Sequence, residues 1–114
     1  MIAVIFEVCP HPHAKQEYLA VAASLAPLLA TMDGFISIER FQSLTEPDKI
    51  LSLSFWRDEE AVKQWRNTDQ HRMAQAQGRG AIFANYRLRI AAVVRDYGLE
   101  ERAQAPADSR LAHG

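Results

Sequence analysis

The sequence predicts one α+β domain in which strands and helices alternate as β-α-β-β-α-β. Four stretches are rich in β-branched and aromatic residues that alternate between two faces, as in strands; they are residues 2–9, 35–43, 49–56 and 84–97. Two regions between them repeat apolar residues at the three- and four-residue spacing of amphipathic helices. This order is that of a ferredoxin-like fold, with an antiparallel sheet and both helical regions on one face.

Composition and charge limit the class of protein. A chain of 114 residues is long enough for one modest core. Its formal net charge of −1 gives no basic field for nucleic acid. The single cysteine, Cys9, excludes an intramolecular disulfide and fits a reducing compartment. The apolar N-terminus is too short to span a bilayer and lacks the basic start of a signal peptide. We therefore expect a cytoplasmic protein that binds neither membrane nor nucleic acid.

The first strand and helix each contain one residue that conflicts with its surroundings. Glu7 lies among apolar strand residues, where a carboxylate is costly unless it is paired. An ion pair with Arg40, Arg87 or Arg89 would meet that need. The helix predicted over residues 13–32 contains Pro27, which we expect to kink or split it near residues 23–26.

The second and third strands each place serines on one face. In residues 35–43, Ser37 shares a face with Phe35, Glu39 and Phe41. In residues 49–56, Ser52 and Ser54 oppose a more apolar face, so the serine-bearing face is a candidate cavity lining.

A short helix follows the third strand and carries the second of the two tryptophans. Asp58 is its predicted N-cap, and its buried face would hold Ala61, Val62 and Trp65. Asn67 or Thr68 then starts another helix, which carries His71 and stops at Gly78 or Gly80. We assign residues 1–98 to the domain and 99–114 to a C-terminal tail or exchanged arm.

The sheet has two apolar faces, and the helices can cover only one of them. An uncovered apolar sheet face usually marks an interface. We therefore expect a homodimer in which two sheets pack face to face as a dimeric α+β barrel, with a pocket in each subunit.

Several motifs resemble the antibiotic biosynthesis monooxygenase (ABM) domain family of small dimeric barrels over about residues 1–98. The residues that carry the resemblance are Gly34-Phe35, Glu39-Arg40-Phe41, Ser54 through Ala61 with Trp65, His71, Gly78-Arg79 and Tyr86 through Arg89. The resemblance implies a cofactor-independent monooxygenase that uses dioxygen to oxidise a small phenol- or quinol-type aromatic substrate in an apolar pocket.

The same superfamily contains relatives that bind and degrade haem, and the match to them is incomplete. Those relatives use an asparagine on the first strand, a tryptophan on the second helix and a histidine ten residues later. This sequence has Glu7, Trp65 and Gln75 at those positions. Haem binding is therefore the alternative cofactor prediction, and a dimeric barrel that binds a small ligand without turnover is the alternative function.

Three residues are the candidate catalytic group: His71, Trp65 and Glu7. A neutral imidazole at His71 could remove a phenolic proton, which would make the ring a better electron donor to dioxygen. Glu7 could orient His71, or act as the base if burial raises its pKa. Trp65 would form a pocket wall. The structural alternatives are a core position for Trp65, an ion pair for Glu7 and a partly exposed helix position for His71.

Further candidates would bind substrate or metal. Ser37 and Phe83 are predicted pocket-lining residues, and Arg79 could meet an anionic substrate group or form a structural salt bridge. The segment from Cys9 to His13 holds one cysteine and two histidines, fewer than the four ligands of a closed metal site. We therefore predict no metal site.

Overall fold

The computed structural model describes residues 1–114, except for the surroundings of Asp69 and Gly78, for which only the helical backbone is described. The strands are β1 (Ile2–Pro10), β2 (Phe35–Gln42), β3 (Ile50–Trp56) and β4 (Phe83–Ala92). The α-helices are α1 (Lys15–Thr31), α2 (Glu59–Arg66), α3 (Asp69–Gln77) and α4 (Ala107–His113). A 3₁₀ turn (Pro12–Ala14) precedes α1, and a π-helical turn (Gly78–Ile82) follows α3.

The strands form one antiparallel sheet in the order β2-β3-β1-β4. Strand β1 lies in the middle, and its Ile2 pairs with Trp56 of β3 and Ala92 of β4. The helical connection from β1 to β2 passes over β3, and the one from β3 to β4 passes over β1. The predicted ferredoxin-like α+β fold is therefore confirmed.

The even-numbered residues of β1 face the helices. Val8 is fully buried in a cluster with Tyr18 of α1, and Ile2 and Val4 pack against a second cluster that includes Trp65 of α2. Because neighbouring side chains in a strand point to opposite faces, the odd-numbered residues of β1 lie on the face without helices.

Two hydrophobic clusters join the helices to the sheet. The first is formed by Val8, Ala14, Tyr18, Ile50 and Ile82. The second is formed by Leu29, Trp56, Ala61, Val62 and Trp65. Each cluster combines one end of α1 with the sheet, so α1 spans the distance between them. Within the described part of the chain, no helix is long and apolar enough to cross a membrane.

Two predictions about local structure are wrong, and a third is wrong in part. Helix α1 runs unbroken through Pro27, so the predicted split does not occur. A register shift between Phe35 and Ser37 brings Phe35 to the helix side, where its ring lies 5.2 Å from that of Trp56. Strand β4 ends at Ala92 and does not reach residue 97. The alternation of apolar and polar residues in a sequence can continue through a β-bulge and beyond the last paired residue of a strand. It therefore reveals neither a register shift nor the end of a strand.

The C-terminal segment folds around Arg102. The Arg102 guanidinium donates hydrogen bonds to the carbonyl oxygens of Gly98 and Gly114 and to the hydroxyl of Ser109. It also lies 5.2 Å from the centre of the Tyr97 ring. The segment therefore has a local structure of its own, which ends in α4.

Candidate functional site

The site begins at the turn between β3 and α2, which a network of side chains holds in place. Asp58 accepts a hydrogen bond from the backbone N–H of Ala61 at 2.9 Å, which confirms the predicted N-cap. Arg57 binds Asp33 through two nitrogens and Asp58 through Nε. The pKa of Asp58 is lowered by the Ala61 hydrogen bond and then by Arg57. The end of α1 is thereby tied to the start of α2.

A close approach of backbone and helix accompanies this network. Gly34 has a φ of +85°, and a Cβ placed on it would lie 2.6 Å from the Cβ of Ala61. Only glycine adopts this conformation at low cost and leaves room for α2.

Helix α2 buries Ala61, Val62 and Trp65, as predicted. The Trp65 ring stacks on Trp56 at a centroid distance of 6.5 Å. The indole N–H of Trp56 donates to the Ser54 hydroxyl at 2.9 Å in the buried space between sheet and helix. The serine-bearing face of β3 therefore faces the helices, and both of its serines are buried.

Thr68 joins α2 to α3. Its hydroxyl donates to the carbonyl oxygen of Trp65 at 2.9 Å and accepts the backbone N–H of His71 at 3.2 Å. The second bond is an N-cap interaction, so of the two predicted caps Thr68 makes the hydrogen bond. It places the His71 ring 4.8 Å from the Trp65 ring, with the two planes at 74°.

The His71 imidazole is held neutral. Burial and, to a smaller extent, the positive charges of Arg72 and Arg66 together lower its pKa from 6.5 to about 4. The ring nitrogen Nδ1 is buried and has no hydrogen-bond partner among the described residues. In the charged imidazolium both ring nitrogens carry a proton, so Nδ1 would become a buried N–H without an acceptor in the described part of the chain. Burial therefore opposes the charged form.

Glu7 lies on the opposite face of the sheet from Trp65 and His71. It pairs in register with Leu51 and Arg87, which also point away from the helices. Its carboxylate lies 3.4 Å from Arg89 and 3.7 Å from Lys49. The structure thus shows the predicted ion pair with a strand arginine and does not bring Glu7 to His71.

The predicted substrate-binding residues are also divided between the faces. Ser37 pairs with Phe55 on the face without helices and is exposed. Phe83 lies on the helix side, where its ring contacts Phe6, Tyr18 and Tyr86 at centroid distances of 5.7 to 5.9 Å. Arg79 is exposed on the π-helical turn just before β4. Of the three, only Phe83 has contacts that place it on the helix side.

The sequence interpretation missed an apolar surface on β4. Tyr86, Leu88 and Ile90 point to the helix side, where they pair with Val8, Phe6 and Val4. All three are more than 40% exposed although they lie on the side of the sheet that carries the helices. We call these three residues the β4 shelf. Their alternation was visible in the sequence, but the position of the helices was not.

The shelf and the Trp65–His71 pair share the same side of the sheet. Val4 packs against the cluster that contains Trp65, and Ile90 is its neighbour across the β1–β4 pairing. The described residues also form surface grooves elsewhere, including one of about 450 Å³ between Cys9–Pro12 and Thr45–Lys49. No group of three or more histidine, cysteine, aspartate or glutamate side chains in the described residues is placed to hold a metal ion.

The fold and site define a small antiparallel α+β domain in which a neutral histidine packs on a buried tryptophan, on the same side of the sheet as an exposed apolar strand. Residues 1–77 match the model of a family described as antibiotic biosynthesis monooxygenase. A protein of Pyricularia oryzae named Jasmonate monooxygenase ABM is 50% identical over 93 residues, 82% of this chain and 43% of that protein. The chain therefore belongs to the antibiotic biosynthesis monooxygenase family, as its motifs predicted, and spans less than half the length of that relative.

Solved structures show the same fold at low sequence identity. The Mycobacterium tuberculosis protein Rv0793 superposes with a TM-score of 0.76 at 18% identity, covering 85% of this chain and 98% of that one. A structure described as an antibiotic biosynthesis monooxygenase superposes with a TM-score of 0.72 at 15% identity, covering 82% and 99%.

Proposed function

We propose that the protein is a cofactor-independent monooxygenase that oxidises a small, ring-containing apolar molecule with dioxygen. The observation that carries the proposal is the neutral His71 imidazole, held against Trp65 on the same side of the sheet as the β4 shelf. Family membership and the 50% identical relative named as a monooxygenase support it.

The proposed reaction draws its electrons from the substrate. An electron-rich ring that has lost a proton from a hydroxyl or an acidic C–H passes an electron to dioxygen. A carbon–oxygen bond then forms, and loss of water from the resulting hydroperoxide leaves a carbonyl group. One oxygen atom enters the product and the other leaves as water, so the reaction consumes no external reductant.

The β4 shelf is the proposed binding surface. The flat body of the substrate packs on Leu88 and Ile90, Trp65 forms a wall, and the substrate oxygen points to His71. Burial of apolar surface is worth roughly 25 cal/mol per Å², so a ring on this surface gains affinity by leaving water. Phe83 closes the end of the shelf near Tyr86, and Arg79 precedes it on the chain.

Two substrate classes follow from different observations. The aromatic phenol or quinol class follows from the motifs discussed above. A ring-bearing carboxylate of the jasmonate type is the second class, because the Pyricularia oryzae relative is named for jasmonate. The positive field of Arg66 and Arg72 at His71 also favours an anionic substrate.

Oxygen uptake with hydroquinones, anthrones, flavonols and jasmonate tests both classes, with ¹⁸O₂ labelling of the product as the readout. We expect uptake with one class and its loss in His71→Ala. Leu88→Ala should raise KM, whereas Leu111→Ala, on the exposed surface of α4, should leave it unchanged. Binding of these compounds without uptake would instead indicate a ligand-binding barrel, and a Soret band in the purified protein would indicate haem.

The proposal includes a cytoplasmic homodimer formed through the sheet face without helices. That face carries a contiguous apolar group around the Glu7 ion pairs: Ile5, Phe41, Leu51, Leu53 and Phe55. Light scattering should show a dimer at micromolar concentration. Leu53→Glu should yield monomer by placing a charge in the interface, and Leu111→Glu should remain dimeric. A monomeric parent protein would contradict this part of the proposal.

A further inference from the structure

The two ring nitrogens of His71 have different surroundings. Nδ1 is buried and has no partner among the described residues. The residue as a whole keeps partial exposure, and no described group forms a hydrogen bond with its ring. Because Nδ1 is the buried and unpaired nitrogen, a ligand at the exposed part of the ring would meet Nε2.

This difference selects one neutral tautomer. A proton on Nδ1 would be a buried N–H without an acceptor, and an unsatisfied buried donor costs about 1–3 kcal/mol. Orphaned buried N–H groups are rarer in proteins than acceptors that lack a partner. The ring should therefore keep Nδ1 bare and carry its proton on Nε2.

The tautomer determines what His71 can do to a substrate. To accept a proton at Nε2, the ring would need its own proton on Nδ1 before and after the transfer. Before and after the transfer, the Nδ1–H group would then lie buried without a hydrogen-bond acceptor among the described residues. With the proton on Nε2, the ring instead offers a donor to an oxygen atom.

We propose that His71 acts as a neutral hydrogen-bond donor through Nε2–H, and that the bound substrate carries negative charge on the ring oxygen that receives this bond. The inference rests on the proposed function, since it describes a step at the same site. The substrate class becomes an enolate, a phenolate or a similar ring-oxygen anion. Its proton passes to bulk water, so His71 neither gains nor loses one, and the electrons pass from the anion to dioxygen.

The electrostatic surroundings fit an anion. Among the described residues, the charges that act on His71 are those of Arg66 on α2 and Arg72 on α3. These cations disfavour an imidazolium and favour an oxyanion at the same place. Arg72 also donates to the side-chain oxygen of Asn67 at the junction of the two helices, which holds its charge near the site.

Nitrogen NMR of the ¹⁵N-labelled protein tests the tautomer without turnover. We expect the His71 Nδ1 signal at the position of an unprotonated ring nitrogen and Nε2 at that of a protonated one, unchanged from pH 8 to pH 5. His71→Gln assigns the signals by removing them. A proton on Nδ1, or a titration midpoint near 6.5, would overturn the proposal even if no substrate is known.

Two substitutions separate a donor from a base. His71→Gln keeps a side-chain N–H and cannot act as a base, whereas His71→Ala has neither property. Loss of one preorganised donor costs about 10²–10³ in kcat, so Ala should fall by that factor and Gln should retain a rate within about tenfold of the parent. Equal losses in both variants would show a base and contradict the inference, while leaving the proposed monooxygenase intact.

The pH profile gives a further distinction. With His71 as a donor, the rate should rise with the ionisation of the substrate and shift when a substrate of different acidity is used. If the rate instead changed with the same midpoint between pH 5 and 7 for every substrate, a group of the enzyme would be titrating, which would contradict the proposed role of His71. If no substrate were turned over, the proposed function would be wrong. The NMR experiment would still test the tautomer of His71, because it needs no turnover.

Discussion

Trp65 and His71 belong to different helices, yet their rings lie 4.8 Å apart at 74°. One hydroxyl group links their backbones, because Thr68 donates to the carbonyl of Trp65 and accepts from the N–H of His71. The last turn of α2 and the first turn of α3 therefore hold each other in position. The orientation of the imidazole depends on this junction as well as on its own burial.

The first prediction concerns that junction. Thr68→Val keeps the shape of the side chain and removes the hydroxyl, so it should lower the free energy of unfolding by about 1 kcal/mol, the usual value of an N-cap. Amide exchange in the first turn of α3 should become faster. Urea denaturation and hydrogen exchange measure the two effects. Thr68→Ser retains the hydroxyl and is the control; equal losses in both variants would contradict the assigned role.

The second prediction concerns pH and stability. The pKa of His71 is about 4 in the folded protein and 6.5 ordinarily, so the unfolded chain binds more protons between these values. Stability should therefore fall as the pH is lowered from 6.5 towards 4. The loss should be on the order of 2 kcal/mol after allowance for partial exposure. Urea denaturation at several pH values should show this loss of unfolding free energy in the parent protein and not in His71→Gln.

The third prediction concerns the close approach at Gly34. Gly34→Ala places a Cβ 2.6 Å from Ala61 at a positive φ, and left-handed backbone alone costs about 1–2 kcal/mol. We expect a fall in Tm with a shift in near-UV circular dichroism from the tryptophans. Gly80→Ala is the matched control, since its Cβ would meet no atom within 4 Å. A similar loss at both positions would refute the steric explanation.

The fourth prediction concerns the two buried serines of β3. Ser54→Ala removes the acceptor of the Trp56 indole N–H and leaves a buried donor unpaired, at a cost of about 1–3 kcal/mol. Ser52 is also buried and points to the same face, and the described residues give its side chain no hydrogen bond, so Ser52→Ala should cost less. Thermal unfolding compares the two. Equal stability of the variants would contradict the importance of the Trp56 hydrogen bond.

The local elements were predictable because their signals are local. Asp58 precedes an apolar helical pattern with two glutamates, and it is the cap. Trp65 recurs with Ala61 and Val62 at helical spacing, and all three are buried. The fold class then followed from the order of the elements, since a β-α-β-β-α-β chain has few compact antiparallel arrangements.

The candidate site was predicted only in part. Trp65 and His71 lie together, but Glu7 and Ser37 lie on the other sheet face, and the β4 shelf was missed. A strand pattern divides its residues into two groups without showing which group meets the helices. The register shift after Phe35 also reversed the faces at the start of β2.

The sequence by itself determined the four strands, the helices up to α3, the Asp58 cap, the family and the helical segment that carries Trp65 and His71, because each depends on neighbouring residues or on a short motif. Helix α4 lies in the stretch that was predicted as a tail or arm. Only the tertiary structure decided which sheet face the helices cover, that Glu7 pairs with Arg89 and Lys49, and that Nδ1 of His71 has no partner among the described residues. These features depend on contacts between segments far apart in the chain. They are also the features that distinguish a hydrogen-bond donor from a base at His71.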